Sequence, residues 1–78
     1  MSELPLKPLN SLSPGETAVI REFEDNAKLQ SRLAEIGALP GIKVRMIKKI
    51  PFKGPLEIKI RSYYLSIRWQ DACQILVS

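Results

Sequence analysis

Residues 32–44, RLAEIGALPGIKV, contain a helix end and a strand start separated by only a few residues. Gly37 stands where a left-handed C-terminal helix cap is expected, because glycine has no Cβ and adopts positive φ without strain. Pro40 cannot continue a helix, and from Ile42 the apolar residues alternate with polar ones as in a half-buried strand. The segment therefore predicts a rigid corner that joins a helix to a strand.

The residues before the corner predict an α-helix of about three turns. Either Asp25 or Asn26 can cap its N-terminus, because short polar side chains accept hydrogen bonds from the first free backbone N–H groups. Leu29, Leu33 and Ile36 then recur at i, i+4 and i+7 and form one apolar stripe. We expect this stripe to pack against the rest of the domain.

Strand patterns occupy most of the remaining chain. Pro14 and Gly15 hold the second and third positions of a type II turn, and the β-branched residues after it predict a first strand over 17–23. The alternation that begins at Ile42 slips at residues 46–47, as at a β-bulge. Two further strands, a short helical turn and a closing strand are predicted over 56–61, 63–68, 69–73 and 74–77, with Leu56, Ile58 and Ile60 facing inward.

Short strands with one inserted helix predict a mainly β fold. In a chain of 78 residues, the size of one small domain, closure into a barrel removes the sheet edges that would pair with other chains. We therefore expect a single SH3-like barrel of about five strands over residues 1–78, with an OB-fold as the alternative. Residues 1–12 are expected to form an irregular arm whose leucines pack on the barrel, and no internal repeat stands out.

Composition narrows the class of protein. A formal net charge of +4 permits an acidic protein, a nucleic acid or an anionic membrane as partner without requiring any of them. No apolar run reaches the roughly 18–20 residues of a membrane span, and the N-terminus does not resemble a signal peptide. The single Cys73 cannot form a disulfide within the chain and is expected to be a small buried hydrophobic residue. We expect a cytoplasmic protein without membrane insertion.

The usual groups for catalysis and for holding a cofactor are missing. The chain contains no histidine, so the commonest general base and the commonest metal ligand are both absent. The spacing of the glycines does not match a nucleotide-binding loop. Glu22, Glu24 and Asp25 form an acidic cluster that lacks the ligand number of a dedicated cation site, so we interpret it as a solvated strand end. We expect no enzyme activity, no cofactor and no metal site; a metal-binding regulator is a third, weaker hypothesis.

Four stretches of the sequence carry a family resemblance. LNSLSPGETAVI combines a leucine-rich entry, a Pro-Gly turn and a strand, and RLAEIGALPG combines an Arg-Leu helix end with Leu-Pro-Gly. KVRMIKKIPFKGPLEIKI and YYLSIRWQDACQILV follow with a proline-bounded loop and a closing segment. In this order they resemble the ferrous iron transport protein A family. Two departures are Lys53-Gly54-Pro55, where the family commonly has Gly-Asp-Pro, and the hairpin turn Ser62-Tyr63, where it often has glycine.

The resemblance implies an accessory role in ferrous iron uptake. Proteins of this family are small cytoplasmic SH3-like proteins that accompany the large ferrous iron permease. The resemblance therefore implies contact with the cytoplasmic G-protein portion of that permease or with neighbouring helices. The same barrel occurs as the C-terminal domain of iron-dependent repressors, so a stand-alone relative of that domain is an alternative, although the chain has no room for their DNA-reading helices.

Leu39, Pro40 and Gly41 are the first candidates for a partner-binding surface. Because Pro40 and the helix cap fix the backbone, a leucine at the tip loses little conformational entropy on docking. The alternative is that Leu39 folds back and plugs one end of the barrel.

Three more side chains are candidates for partner contacts. Arg32 on the helix can pair with an acidic partner or remain solvated, and Lys53 lies in a basic loop. Trp69, at a strand end, either caps the core or anchors an interface. Self-association is also open, since the leucine-rich arm can wrap a neighbouring molecule.

A basic face supports a rival function. Outward cations with aromatic residues among them are the pattern of a protein that binds single-stranded nucleic acid. Because outward positions on strands are polar in any fold, a solvated face is the other interpretation, and no nucleic-acid partner is expected. The residues concerned are Arg45, Lys48, Lys49, Phe52, Lys53, Lys59, Arg61, Tyr64 and Arg68.

Overall fold

A computed structural model of the chain describes residues 5–24 and 26–78. The described residues form six strands and two helices with a short 3-10 turn. The strands are β1 (Lys7–Pro8), β2 (Thr17–Phe23), β3 (Lys43–Lys49), β4 (Leu56–Ile60), β5 (Tyr63–Ile67) and β6 (Ile75–Val77), the helices are α1 (Ala27–Glu35) and α2 (Trp69–Ala72), and the 3-10 turn is Leu9–Ser11. The predicted strands and the inserted helix are confirmed, and β1 adds a two-residue strand within the expected irregular arm.

All strand pairs are antiparallel, and the order across the sheet is β1-β6-β2-β3-β4-β5. β2 joins two parts of this sheet, because its first half pairs with β3 and its second half pairs with β6. The register of β3 against β4 shifts between Met46 and Lys48, so the predicted bulge is confirmed. This strongly bent antiparallel sheet is the frame of an SH3-like barrel.

The core is built from the inward side chains of these strands. Leu56, Ile58 and Ile60 of β4 are buried, as their alternation predicts. Leu9 and Leu12 lie in the same core, so the segment before β2 packs on the sheet. Leu6 is 42% exposed. Leu4, which was expected to join the other leucines, lies outside the described residues.

The helix α1 has a defined cap at each end. Asn26, one of the two expected capping residues, accepts a hydrogen bond from the Leu29 N–H at 2.9 Å. At the other end the Ala38 N–H donates to the Leu33 carbonyl and the Gly37 N–H to the Ala34 carbonyl, which is the Schellman pattern. Gly37 has a φ of 88°, in the left-handed region.

Three expectations about single residues are wrong. Ile36 ends the helix at the cap, where it is exposed instead of extending the buried stripe of Leu29 and Leu33. Cys73 is exposed after α2, and its Sγ accepts a hydrogen bond from Asn10 Nδ2 at 2.8 Å. The β4–β5 hairpin turns at Arg61 and Ser62, since Tyr63 already pairs with Ile60.

In the part of the chain that the structure describes, every helix is too short or too polar to cross a bilayer.

Candidate partner-binding surface

The corner between α1 and β3 is a type II turn formed by Leu39, Pro40, Gly41 and Ile42. The Ile42 N–H donates to the Leu39 carbonyl at 3.1 Å, and Gly41 has a φ of 96°, as the third position of this turn requires. The Gly41 N–H also donates to the Ile20 carbonyl at 2.7 Å, which ties the turn to β2. Proline, glycine and these hydrogen bonds leave the corner backbone little freedom.

The side chain at the tip of this turn faces solvent. Leu39 is 45% exposed, whereas its neighbour Ala38 is buried in the core. The alternative in which Leu39 plugs the barrel is therefore wrong. Ile36 is exposed nearby in sequence, on the other side of the helix cap. We call Ile36, Leu39, Pro40 and Gly41 the corner surface.

A shallow groove with basic walls begins at the corner surface. Gly41 lines it together with Lys43, Arg45, Lys59 and Arg61. Within it Arg45 of β3 lies directly opposite Lys59 of β4, and like charges in this cross-strand position repel each other. Among the described residues neither cation has a carboxylate partner within salt-bridge distance. We call these cationic residues the basic groove, and they present unneutralised positive charge beside an apolar tip.

The other predicted contact residues lie in separate places. Arg32 lines a groove between α1 and β5, which also contains Ile36, Arg68 and Asp71. Trp69 is half-buried against the core, and its ring centroid lies 6.0 Å from Lys49 Nζ. Lys53 is at the tip of the β3–β4 loop, at the opposite end of β3 from the corner surface. The structure thus groups Leu39, Pro40 and Gly41 and separates them from Lys53.

The broad basic face proposed from the sequence is interrupted. Arg68 Nε lies 3.5 Å from Asp71 Oδ2, and Lys48 is directly opposite Glu57 on the neighbouring strand. Lys59 Nζ lies 5.4 Å from the ring centroid of Tyr64, its cross-strand neighbour. The cations of the basic groove, and Lys48, Lys49 and Lys53 at the other end of β3, therefore form two separate positive areas.

Three features of this surface did not follow from the sequence. Lys43 is not among the candidate residues of the sequence, whereas in the structure it lines the groove beside Gly41. Ile36 was assigned to the core. The opposition of Arg45 and Lys59 depends on the strand register, and only the alternation of β3 and β4 hinted at it.

The FeoA domain family matches residues 7–78, which is nearly the whole chain. The chain belongs to the FeoA domain family. The sequence resemblance to ferrous iron transport protein A is thereby confirmed. A fusion of Fe(2+) transport protein A with the Fe(2+) transporter FeoB from Porphyromonas gingivalis is 30% identical over 69 residues. These residues are 88% of this FeoA domain and 8% of the fusion protein, so the domain spans a small part of that relative.

Solved structures share the fold of this FeoA domain. The FeoA of Stenotrophomonas maltophilia, an SH3 domain protein solved in complex with zinc, matches with a TM-score of 0.78 and 27% identity. The match covers 91% of this chain and 88% of that one. A manganese-dependent transcriptional repressor matches with a TM-score of 0.86 and 19% identity, over 97% of this chain and 42% of the repressor. At that identity the repressor shows a common fold alone.

The residues that the structure describes do not form a zinc site with three or more protein ligands. Such sites are built from cysteine, histidine and carboxylate ligands, and this chain has no histidine. The described residues contain no group of three or more possible ligands of these types. Glu22 and Glu24 are exposed near the end of β2, and Asp25, the third member of the acidic cluster, lies outside the described residues.

Proposed function

We propose that this domain is a non-enzymatic accessory domain of ferrous iron transport that binds the cytoplasmic part of the ferrous iron permease. The membership in the FeoA domain family and the fusion of a related domain to FeoB support this partner. The observation that carries the binding surface is Leu39, which is 45% exposed on a fixed turn. A domain that binds the cytoplasmic part of the permease is itself in the cytoplasm, which is part of the proposal.

The corner surface has the physical properties of a binding anchor. Its backbone is already ordered by a proline, a left-handed glycine and the hydrogen bond from Gly41 to Ile20, so docking orders few additional bonds. Burial of the exposed part of Leu39 in a partner pocket is then favourable without a large entropic cost. An isolated exposed leucine is common on protein surfaces, but here it belongs to a turn whose Gly41 lines the basic groove, and Ile36 is exposed shortly before it in the sequence.

The basic groove adds electrostatic attraction to the apolar contact that the corner surface provides. Its cations attract acidic groups of a partner and accelerate association, while the apolar corner supplies the contact that resists dissociation. An acidic side chain between Arg45 and Lys59 would also relieve their mutual repulsion. The proposed partner surface therefore has an apolar pocket with carboxylates at its side.

The nucleic-acid alternative has less support. The ion pair of Arg68 with Asp71 and the position of Glu57 opposite Lys48 interrupt the cationic track that a strand of nucleic acid would follow. The likeness to the repressor covers the barrel fold and less than half of that protein. Self-association through the N-terminal segment remains a further proposal, which scattering mass at two protein concentrations would test.

Co-purification with the permease tests the proposal. Leu39→Arg is expected to weaken association at least about tenfold, because it places a charge in an apolar contact. Leu6→Arg is the matched control, since Leu6 is the same residue type at 42% exposure and lies outside the corner surface. Association of a folded Leu39→Arg domain at the wild-type level would exclude the corner surface, and absence of wild-type association would exclude the permease.

A further inference from the structure

The β3–β4 loop presents a phenylalanine entirely to water. Phe52 is 101% exposed, more than any other large hydrophobic residue of the described chain. Ile50 and Pro51 beside it are also exposed. Exposure of a whole aromatic side chain is unfavourable in an isolated soluble domain. Apolar residues at this tip therefore point to an apolar medium that receives them.

The backbone that holds Phe52 outward is strained. Residues Pro51 to Gly54 form a turn in which the Gly54 N–H donates to the Pro51 carbonyl at 3.3 Å. Both central residues have positive φ, 62° at Phe52 and 59° at Lys53, which defines a type I′ turn. This turn is favoured by Asn-Gly, whereas side chains such as Phe and Lys are strained in it. Strain of this kind is frequently kept for a function.

The loop is also closed by a backbone hydrogen bond at its base and is positively charged. The Ile50 N–H donates to the Pro55 carbonyl at 3.1 Å, and a Cβ on Gly54 would come within 2.7 Å of the Ile50 Cβ. Lys48 and Lys49 precede the turn, and Lys53 is in it. Glu57, opposite Lys48, is the one carboxylate paired with β3 at this end. The tip thus presents exposed apolar side chains with lysines on both sides of them in the sequence.

We infer that the loop of residues 50–53 docks on an anionic lipid surface, with Phe52 at the depth of the headgroups and lysines on the lipid phosphates and carboxylates. Phenylalanine with lysines is the combination that binds the interface of anionic bilayers, where apolar burial and charge attraction add. The inference goes beyond the proposed function, because it adds a second surface at the other end of β3. A domain held beside a membrane transporter needs only weak lipid affinity, since tethering raises its local concentration.

Vesicle binding of the full chain tests this inference. The probe is a vesicle of phosphatidylcholine mixed with phosphatidylserine, compared with phosphatidylcholine alone, and the readout is the partition coefficient from co-sedimentation. We expect the wild-type chain to prefer the anionic vesicles and to be released by salt. Trp69 is the single tryptophan and lies beside Lys49, so its fluorescence provides a second readout.

Substitutions in the loop separate its two contributions. Phe52→Ser is expected to lower the partition coefficient about tenfold, because the apolar contact is lost. Lys53→Gln is expected to lower it about fivefold on anionic vesicles, the effect of one basic residue near the surface. The matched controls are Leu6→Ser and Lys28→Gln, which remove an exposed apolar residue and an exposed charge elsewhere and should leave vesicle binding unchanged.

One further variant is expected to raise stability while it lowers vesicle binding, and it therefore distinguishes loss of binding from misfolding. The double substitution F52N/K53G supplies the residues that a type I′ turn favours, so its unfolding temperature should rise while vesicle binding falls. A lower unfolding temperature would overturn the claim of strain. Wild-type binding to neither vesicle, or unchanged binding by Phe52→Ser, would overturn the lipid proposal.

A protein pocket is the rival occupant of the loop. If the wild-type chain ignores vesicles while Phe52→Ser loses the permease in detergent, the loop contacts protein and the lipid proposal fails. Failure of the permease proposal is distinguishable, because the vesicles contain no protein and Leu39→Arg leaves the loop intact.

Discussion

Two turns of this domain have the same backbone conformation, but the first carries polar side chains at its ends and the second carries apolar ones. Ser13-Pro14-Gly15-Glu16 and Leu39-Pro40-Gly41-Ile42 both close with a hydrogen bond from the fourth N–H to the first carbonyl, at 2.9 and 3.1 Å. Their glycines have φ of 90° and 96°. Each turn leads directly into one of the paired strands β2 and β3. The two turns thus differ mainly in what their first and fourth residues carry.

The surroundings of the two turns are related by an approximate two-fold axis. The Gly15 N–H donates to the Met46 carbonyl of β3, and the Gly41 N–H donates to the Ile20 carbonyl of β2. Ala18 lies opposite Val44 at the centre of the strand pair. The eight residues from Ser13 and the eight from Leu39 therefore correspond in space, although the sequence analysis identified no repeat.

The polar ends of the first turn are satisfied within the domain. Glu16 Oε1 accepts the Ser13 N–H at 2.8 Å, and Glu16 Oε2 lies 3.2 Å from Lys7 Nζ. Leu39 in the second turn remains exposed, with nothing comparable to bind it. Turn geometry is therefore a structural requirement of the β2–β3 pair, and of the two turns the second carries the exposed leucine.

The largest expected effect concerns the shared backbone. Gly15→Ala and Gly41→Ala should each lower the free energy of unfolding by about 1–2 kcal/mol, the cost of a left-handed conformation for a residue with Cβ. An added Cβ meets no atom within 4 Å at either position, so sterically the two sites are alike. Urea unfolding of both variants measures the difference. Markedly unequal losses would show that the two turns are not equivalent supports.

A smaller effect is expected from the prolines. Pro14→Ala and Pro40→Ala should each cost about 0.4–1 kcal/mol, because the unfolded chain gains freedom that the fold must remove. The two variants should differ in function. Pro40→Ala loosens the corner surface and should weaken permease association about two- to fivefold, whereas Pro14→Ala should leave it unchanged. Equal binding by both variants would indicate that pre-organisation of the corner does not contribute.

The elements that the sequence predicts are those with local causes. The alternation in β4, the helix positions Leu29 and Leu33, and the Pro-Gly residues of both turns depend on a few neighbouring positions, and the structure has them where the sequence predicts them. Cys73 is exposed and bonds to Asn10, far away in the chain, and no local pattern signals that contact. Arg45 lies opposite Lys59 because of the pairing register of β3 and β4 before the bulge at residues 46–48, and alternation alone does not determine that register.

The β3–β4 loop shows a different limit of prediction. Turn statistics favour Asn and Gly at positions with positive φ, and they therefore argue against the conformation that Phe52 and Lys53 adopt. Where function keeps a strained turn, local preference points to the wrong structure. The candidate corner surface was found because Pro40 and Gly41 agree with the backbone that the turn adopts.

The smallest expected effect is a pH dependence of the free energy of unfolding that arises from the first turn and not from the second. Hydrogen bonding from the Ser13 N–H, together with the nearby Lys7 ammonium, lowers the pKa of Glu16 below its ordinary value of 4.5. A carboxyl group with a lowered folded-state pKa stabilises the fold at pH values above the ordinary one, and this contribution is lost as the pH falls through the lowered pKa. Glu16→Gln removes the charge, so the variant should be less stable than the wild-type domain at neutral pH. The difference should shrink in acid.

Ile42, the residue that corresponds to Glu16 in the second turn, does not titrate, so the destabilisation by Gly41→Ala should vary little over the same range. Urea unfolding of both variants between neutral and acid pH provides the measurement. A constant difference between the wild-type domain and Glu16→Gln would mean that the Glu16 charge does not hold the first turn.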